Sequence, residues 1–132
     1  MDYLVTTSEG FDNVTFGEKR ASVREKIGGY ESFRKSETSK KTTDDFGDFH
    51  AYYTPDDELE AVEFFEGGLL VKDKYLKIGI PAANFKMIFS ELCKDITVVD
   101  GMIESRSLNF RACEEDDIVT SVLFHRPGYY DL

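Results

Sequence analysis

The 132-residue sequence predicts an α+β fold: two tandem helix-plus-antiparallel-sheet units forming a helix-covered curved sheet. Three observations carry this. Two helical patterns each open after an apolar residue and a glycine, Phe16-Gly17 and Ile78-Gly79, with the glycines 62 residues apart. Each is followed by strand-like runs around turn-forming residues. The hairpin acids Asp57 and Asp117 stand 60 apart, as do Phe64 and Phe124. A fixed period of this size marks a tandem repeat, here 11–68 and 74–128. A ~60-residue unit alone buries too little of its surface, so both belong to one domain, 1–132.

In chain order, "VTFGEKRASVREKIGG" (14–29) is an apolar strand end followed by a short helix. Glu18 places an acid in the first turn, Ala21, Val23 and Ile27 form the apolar stripe, and Gly28-Gly29 supplies a left-handed stop. "YESFRK" reads as a strand and the polar "SETSKKTTDD" as the longest loop. "DFHAYYTPDDELEAVEFFEGG" reads as two strands around a turn at Thr54 to Glu58, with Pro55 set to start the turn. In the second half Pro81 opens a helix carrying Phe85, Ile88, Phe89 and Leu92 at helical spacing. "DITVVDGMIES" is a pair of alternating runs around Asp100-Gly101, a two-residue hairpin signal. "SLNFRACEEDDIVTSVLFHR" is a last hairpin, turning at Glu114 to Asp117.

An apolar fraction of 41%, with eleven Phe and seven Tyr, suits a packed core. A net charge of −10 argues against nucleic acid and anionic membranes, which need clustered Lys and Arg, and points to a basic protein partner. No segment reaches membrane-spanning length and "MDYLVTTSEG" carries no apolar leader, so the expected location is cytoplasmic. The charge is unevenly spread. Asp44 to Glu66 holds nine acids and no Lys or Arg, Glu114 to Asp117 is a second acidic knot, and the bases of the first half fall between Lys19 and Lys41.

No catalytic, cofactor or metal set emerges. "FGEKRAS" lacks the glycines and the Gly-Lys-Ser/Thr step of a phosphate loop. His50 and His125 have only acids near them in sequence, too few ligands for zinc. Asp44, Asp45 and Asp48 lack the alternating-ligand and glycine pattern of a calcium loop. Cys93 faces the apolar side of its helix, and Cys113 adjoins four acids that make it a poor nucleophile. The expectation is a non-enzyme whose function lies on its surface. Tyr52, Tyr53, Tyr129 and Tyr130 are the amphipathic aromatics suited to an interface.

The step from apolar residue through glycine into a helix carries Arg20, Val23 and Ile27 in one half, Phe85 and Leu92 in the other. It resembles the β-lactamase-inhibitor protein fold and its single-unit relatives, the small outer-membrane assembly lipoproteins, with their similar "G-x-x-x-x-x-V-x-x-x-L-G" signature. The resemblance spans residues 11 to 126 and implies two helix-covered units whose concave sheet grips a partner protein. Those relatives are exported, and this chain shows neither a signal peptide nor a lipid-attachment cysteine near its N-terminus, so no β-lactamase target or envelope role is carried over. "TTDDFGDFHAYYTPDDELEAVEFFEG" is similar in style to small bacterial immunity-type proteins encoded beside secreted toxins. That similarity implies an immunity or inhibitor protein neutralising a basic toxin domain. The expected contact residues are Asp44, Asp45, Asp48, Tyr52, Asp57, Glu58 and Glu60, with Glu114, Glu115, Asp116 and Asp117 as the equivalent edge. Two rival classes remain: a small enzyme, which would need a deep pocket of convergent polar groups, and a homodimeric structural subunit burying its tyrosine-bearing face.

Overall fold

The computed structural model describes residues 1–34 and 42–129. The first half contains β1 (Asp2–Thr6), β2 (Gly10–Phe11), β3 (Val14–Thr15), α1 (Arg20–Ile27), β4 (Glu31–Arg34), β5 (Thr42–Asp45), β6 (Phe49–Tyr53) and β7 (Leu59–Phe64). The second contains β8 (Gly68–Val71), β9 (Lys74–Lys77), α2 (Ala82–Ser90), β10 (Thr97–Val99), β11 (Met102–Ser105), β12 (Phe110–Glu115) and β13 (Ile118–His125). A large sheet runs β10-β11-β12-β13-β7-β6-β5-β4, and a small one β3-β2-β1-β8-β9. The seam of the large sheet is the antiparallel pair β7 and β13, from Phe64 opposite Val122 to Ala61 opposite His125. The small sheet is joined by a parallel pair, β1 with β8.

This corrects the α+β expectation and the helix-covered sheet that went with it. The protein is mostly β, with 48% strand and 14% helix among the described residues. Helices of eight and nine residues are only about 12–14 Å long. Eight strands side by side span about 34 Å, so two such helices cannot roof them. The small sheet packs Tyr3 and Phe11 on β6 and β7 of that face, with α1 reaching β5 through Arg24 and α2 packed on β12 and β13.

The core explains the arrangement. Tyr3 and Phe11 from the small sheet meet Phe49 and Phe64 from the large one, with Tyr3–Phe64 and Phe11–Phe49 ring centroids each 5.0 Å apart. The ring contacts continue through Phe124 and Phe110 to Phe89, which lies 4.5 Å from Phe110. α2 is thus held by buried aromatics, whereas α1 buries only Val23.

Both helices are reached through the same backbone clasp. Gly17 N–H donates to the Leu59 carbonyl, Leu59 N–H to Glu18, and Arg20 N–H to Asp57, each at 2.8 Å. In the second half Gly79 N–H donates to Val119 and Val119 N–H to Ile80, each at 2.9 Å, and Ala82 N–H to Asp117 at 2.8 Å. Neither helix has a side-chain N-cap, so a hairpin carbonyl serves the first helical amide instead. Asp57 and Asp117 supply those carbonyls at φ 60° and 65°, a left-handed conformation that a short polar side chain tolerates. Each hairpin also carries a bulge at its turn end, between Tyr52 and Tyr53 and between Cys113 and Glu114.

Some local expectations shift. Glu18 precedes α1, and its carboxylate accepts from Thr15 N–H and Lys26. Thr42–Asp45 is a strand, while residues 36–41 of the expected loop lie outside the described residues. Leu92 and Cys93 follow the end of α2 and pack against the core.

Gly10 sits at φ 151° where β2 turns against β3, and a Cβ there would collide with the Val14 backbone carbonyl. Gly10→Ala is expected to cost more than ~1 kcal/mol. Gly47→Ala, at φ 97° but facing open space, should cost less. Urea denaturation of the two variants reads the difference.

Candidate functional site

The acidic stretch of the first half begins inside the protein. Asp44 on β5 is fully buried. Arg24 donates to both of its oxygens from Nε and Nη2 at 2.8 Å, and Ser32 Oγ and Tyr53 OH add bonds of 2.8 and 3.0 Å. Arg20 Nη1 lies 3.5 Å from the same carboxylate and donates to Thr42 Oγ1 at 2.7 Å. The Arg20 guanidinium covers the Tyr53 ring at 4.2 Å, and its Nε lies 3.3 Å from Asp57, close enough for an ion pair but too poorly aligned for a hydrogen bond. Burial pushes the Asp44 carboxyl up, but the bonds from Arg24, Ser32 and Tyr53 with the Arg24 charge outweigh it and leave it below its ordinary pKa. The same burial, reinforced by Asp44, pushes the Tyr53 hydroxyl up. Asp44 is therefore an anchor for α1 and offers no surface to a partner.

The second half has an apolar residue, Ile103, where the first has Asp44. Asp44 lies opposite Ala51, as Ile103 lies opposite Ala112. Ala82 and Lys86 follow Gly79 at the spacing at which Arg20 and Arg24 follow Gly17. Ile103 is fully buried, and Phe85 and Phe89 pack on Phe110 at 5.8 and 4.5 Å.

The other first-half contact residues are held by the fold to differing degrees. Asp45 accepts the Gly47 N–H at 2.8 Å and lies 3.6 Å from His50 Nε2. Asp48 accepts the Tyr3 hydroxyl at 2.8 Å. Asp57 faces Arg20, Glu58 lies 3.4 Å from Lys19 and Glu60 lies 3.5 Å from Arg126. Tyr52 is 8% exposed and donates to Glu63 at 2.6 Å; with Ala61, Leu123 and Tyr129 it forms a small apolar cluster on the open face of the large sheet. The basic segment around α1 and the acidic stretch after it thus largely answer one another within the chain.

The second acidic knot is different. Asp116 and Asp117, at φ 53° and 65°, make the tight turn between Glu115 and Ile118. Glu114 N–H donates to the Gly101 carbonyl at 2.8 Å, which brings the Asp100-Gly101 turn alongside. Among the described residues Asp100, Glu114, Glu115, Asp116 and Asp117 make no ion pair. Asp100 was not among the expected contact residues; its Asp-Gly signal identified the turn, and only the cross-strand bond brings it to the corner. Because β7 and β13 run antiparallel, the Asp57 and Asp117 turns lie at opposite ends of the large sheet. About twelve extended residues separate them along the strands, up to ~40 Å, so they do not form one edge.

The open face also bears a pocket of about 210 Å³ lined by Glu104, Ser105, Arg111, His125 and Tyr129. Arg111 pairs with Glu104 at 2.9 Å, and His125 has Nδ1 2.9 Å from the Arg126 carbonyl with its ring stacked on Tyr129 at 5.3 Å. Ser105 donates to Asp95 at 2.6 Å, and Ser107 N–H donates to Asp95 at 2.8 Å, bonds that tie down the β11–β12 turn. Cys93 donates to the Phe89 carbonyl at 3.6 Å. No group of His, Cys, Asp and Glu able to hold a metal ion occurs among the described residues, and no described helix is long and apolar enough to cross a membrane. No family model, curated protein or solved structure matches the chain.

Removing the Asp44 carboxylate leaves Arg24 and Arg20 without their buried partner, so Asp44→Ala should cost ~3–5 kcal/mol in urea denaturation. Among the described residues three carboxyls, Asp95, Asp44 and Glu18, are held below their ordinary range and make the fold sensitive to acid. Asp95, held by Ser105 and then Ser107, is lowered from 3.8 to about 2, and Asp44 is lowered as well. Depressed carboxyls stabilise the fold above their unfolded pKa, and that contribution disappears as pH falls through the folded one. Asp95→Asn should flatten the loss of urea stability between pH 3.8 and about 2.

Proposed function

We propose that the chain is a non-enzymatic protein-binding module that receives a basic partner at the corner formed by Asp100, Glu114, Glu115, Asp116 and Asp117. The observation that carries this reading is that these carboxylates gather from two turns and, among the described residues, make no ion pair, in a chain of net charge −10. Such a corner attracts a cationic surface and speeds encounter. The immunity or inhibitor role implied by the sequence resemblance fits it: the partner is a basic toxin domain whose cationic substrate cleft is covered by carboxylates, and the meeting takes place in the cytoplasm. Asp45, Asp48, Tyr52, Asp57, Glu58 and Glu60 are secondary in this reading, because the fold already gives each of them a partner.

The test is real-time binding between the full chain and the protein encoded by the neighbouring gene. The quadruple variant Glu114→Gln, Glu115→Gln, Asp116→Asn and Asp117→Asn keeps size and suits the left-handed turn, since Asn tolerates that conformation. It should associate about 10-fold more slowly at low salt, the gap closing as salt rises. Asp57→Asn should change the rate far less. Absence of binding, or a quadruple variant that associates like the wild type, removes the proposal.

A further inference from the structure

The outer face of the small sheet carries three large apolar side chains in register. Leu4 on β1 lies opposite Leu70 on β8, and Leu70 lies opposite Tyr75 on β9. They are 51%, 39% and 51% exposed. Alternation alone would place polar residues at these outward positions, since Tyr3, Val5, Leu69, Val71 and Leu76 already supply the inner face. The tyrosine is laid down by a glycine. A Cβ on Gly68 would run into the Tyr75 ring and hydroxyl and the Asp2 carboxylate. Without one, the ring reaches across β8 and its hydroxyl donates to Asp2 at 3.1 Å. The Tyr75 ring therefore lies over Gly68 and extends the exposed apolar surface of Leu4 and Leu70.

Charge on this face is divided by edge. Asp2 and Asp12 stand on the β1–β2 side, Asp12 fixed beside Leu4 by accepting its N–H at 2.9 Å. On the β8–β9 side Lys72 and Lys77 stand exposed and among the described residues make no ion pair, Lys74 pairs with Glu91, and the exposed Asp73 of the turn offsets one of the two lysines, so this edge is net positive. A uniformly acidic or basic partner would match one edge and be repelled by the other.

We propose that this face is the interface of a homodimer, two copies packing small sheet on small sheet about a two-fold axis that runs along β1 and β8. Under that rotation Leu4 of one copy meets the partner's Leu70, and the acidic edge of each copy meets the lysine edge of the other. The interface is isologous, and sheet faces pack in this way at ~10 Å. The proposal does not depend on the reading of the acidic corner, which lies on the other sheet.

Sedimentation velocity of the full chain from about 1 to about 100 μM tests it, this being the range expected for an interface below the size of a permanent one. A reversible monomer–dimer equilibrium is expected. Leu70→Glu should weaken it by about 10-fold or more, while the urea midpoint measured at about 1 μM, where the chain is largely monomeric, stays close to that of the wild type. Lys77→Glu should weaken it several-fold, most at low salt. A wild-type chain that stays monomeric throughout gives the face to a different occupant and overturns the proposal. A folded Leu70→Glu variant that dimerises as well as the wild type also overturns it.

Discussion

Six backbone hydrogen bonds, three at each junction of hairpin and helix, set the frame on which the rest of this protein is assembled. They do two jobs at once. They satisfy the first amide of a helix that has no side-chain cap, and they fix where each helix starts relative to the strand that follows the hairpin turn. The helix start then decides which residues point at the sheet: Arg20, Val23 and Arg24 in one half, Ala82, Phe85 and Phe89 in the other. Because the carbonyls that serve the two first helical amides come from left-handed aspartates, the same turns that expose acids to solvent also hold the helices in place.

How much of this was legible in the sequence depends on the range of the forces involved. Asp100-Gly101, Pro55 and Pro81 act through their own backbone geometry, so the elements they delimit could be read directly. β1, β8 and β9 could not. Leu4 and Leu70 put apolar side chains on both faces of their strands, which blurs the period of two, and the β8–β9 turn uses Lys72 at φ 55° where no glycine or asparagine signals it. The α+β reading failed at this point, since without a second sheet the helices were the only cover available.

The charge pattern shows the same limit. A run of acids without bases reads locally as a solvated face, yet Asp44 is the most deeply enclosed carboxylate of the described chain and Asp57, Glu58 and Glu60 each face a cation. The nearest compensating charges lie far off in sequence, on α1 and at Arg126. The shorter knot at Glu114 to Asp117 carries less charge in sequence and more unbalanced charge in space, because α2 has Ala82 where α1 has Arg20, and Lys86, at the Arg24 position, makes no ion pair among the described residues.

That difference between the halves has a consequence for how the protein can change over time. A carboxylate gripped by a forked guanidinium, a hydroxyl and a phenol tolerates few alternatives: loss of Asp44 or Arg24 breaks a buried charge pair, and loss of Ser32 or Tyr53 removes a hydrogen bond from it. The cluster of Ile103, Phe85, Phe89 and Phe110 admits many, since apolar groups of similar volume can be exchanged with small adjustments. Sequence drift is therefore expected to be fast around α2 and slow around α1, so that descendants of this chain would come to differ mainly at one end of the large sheet while the other keeps its residues.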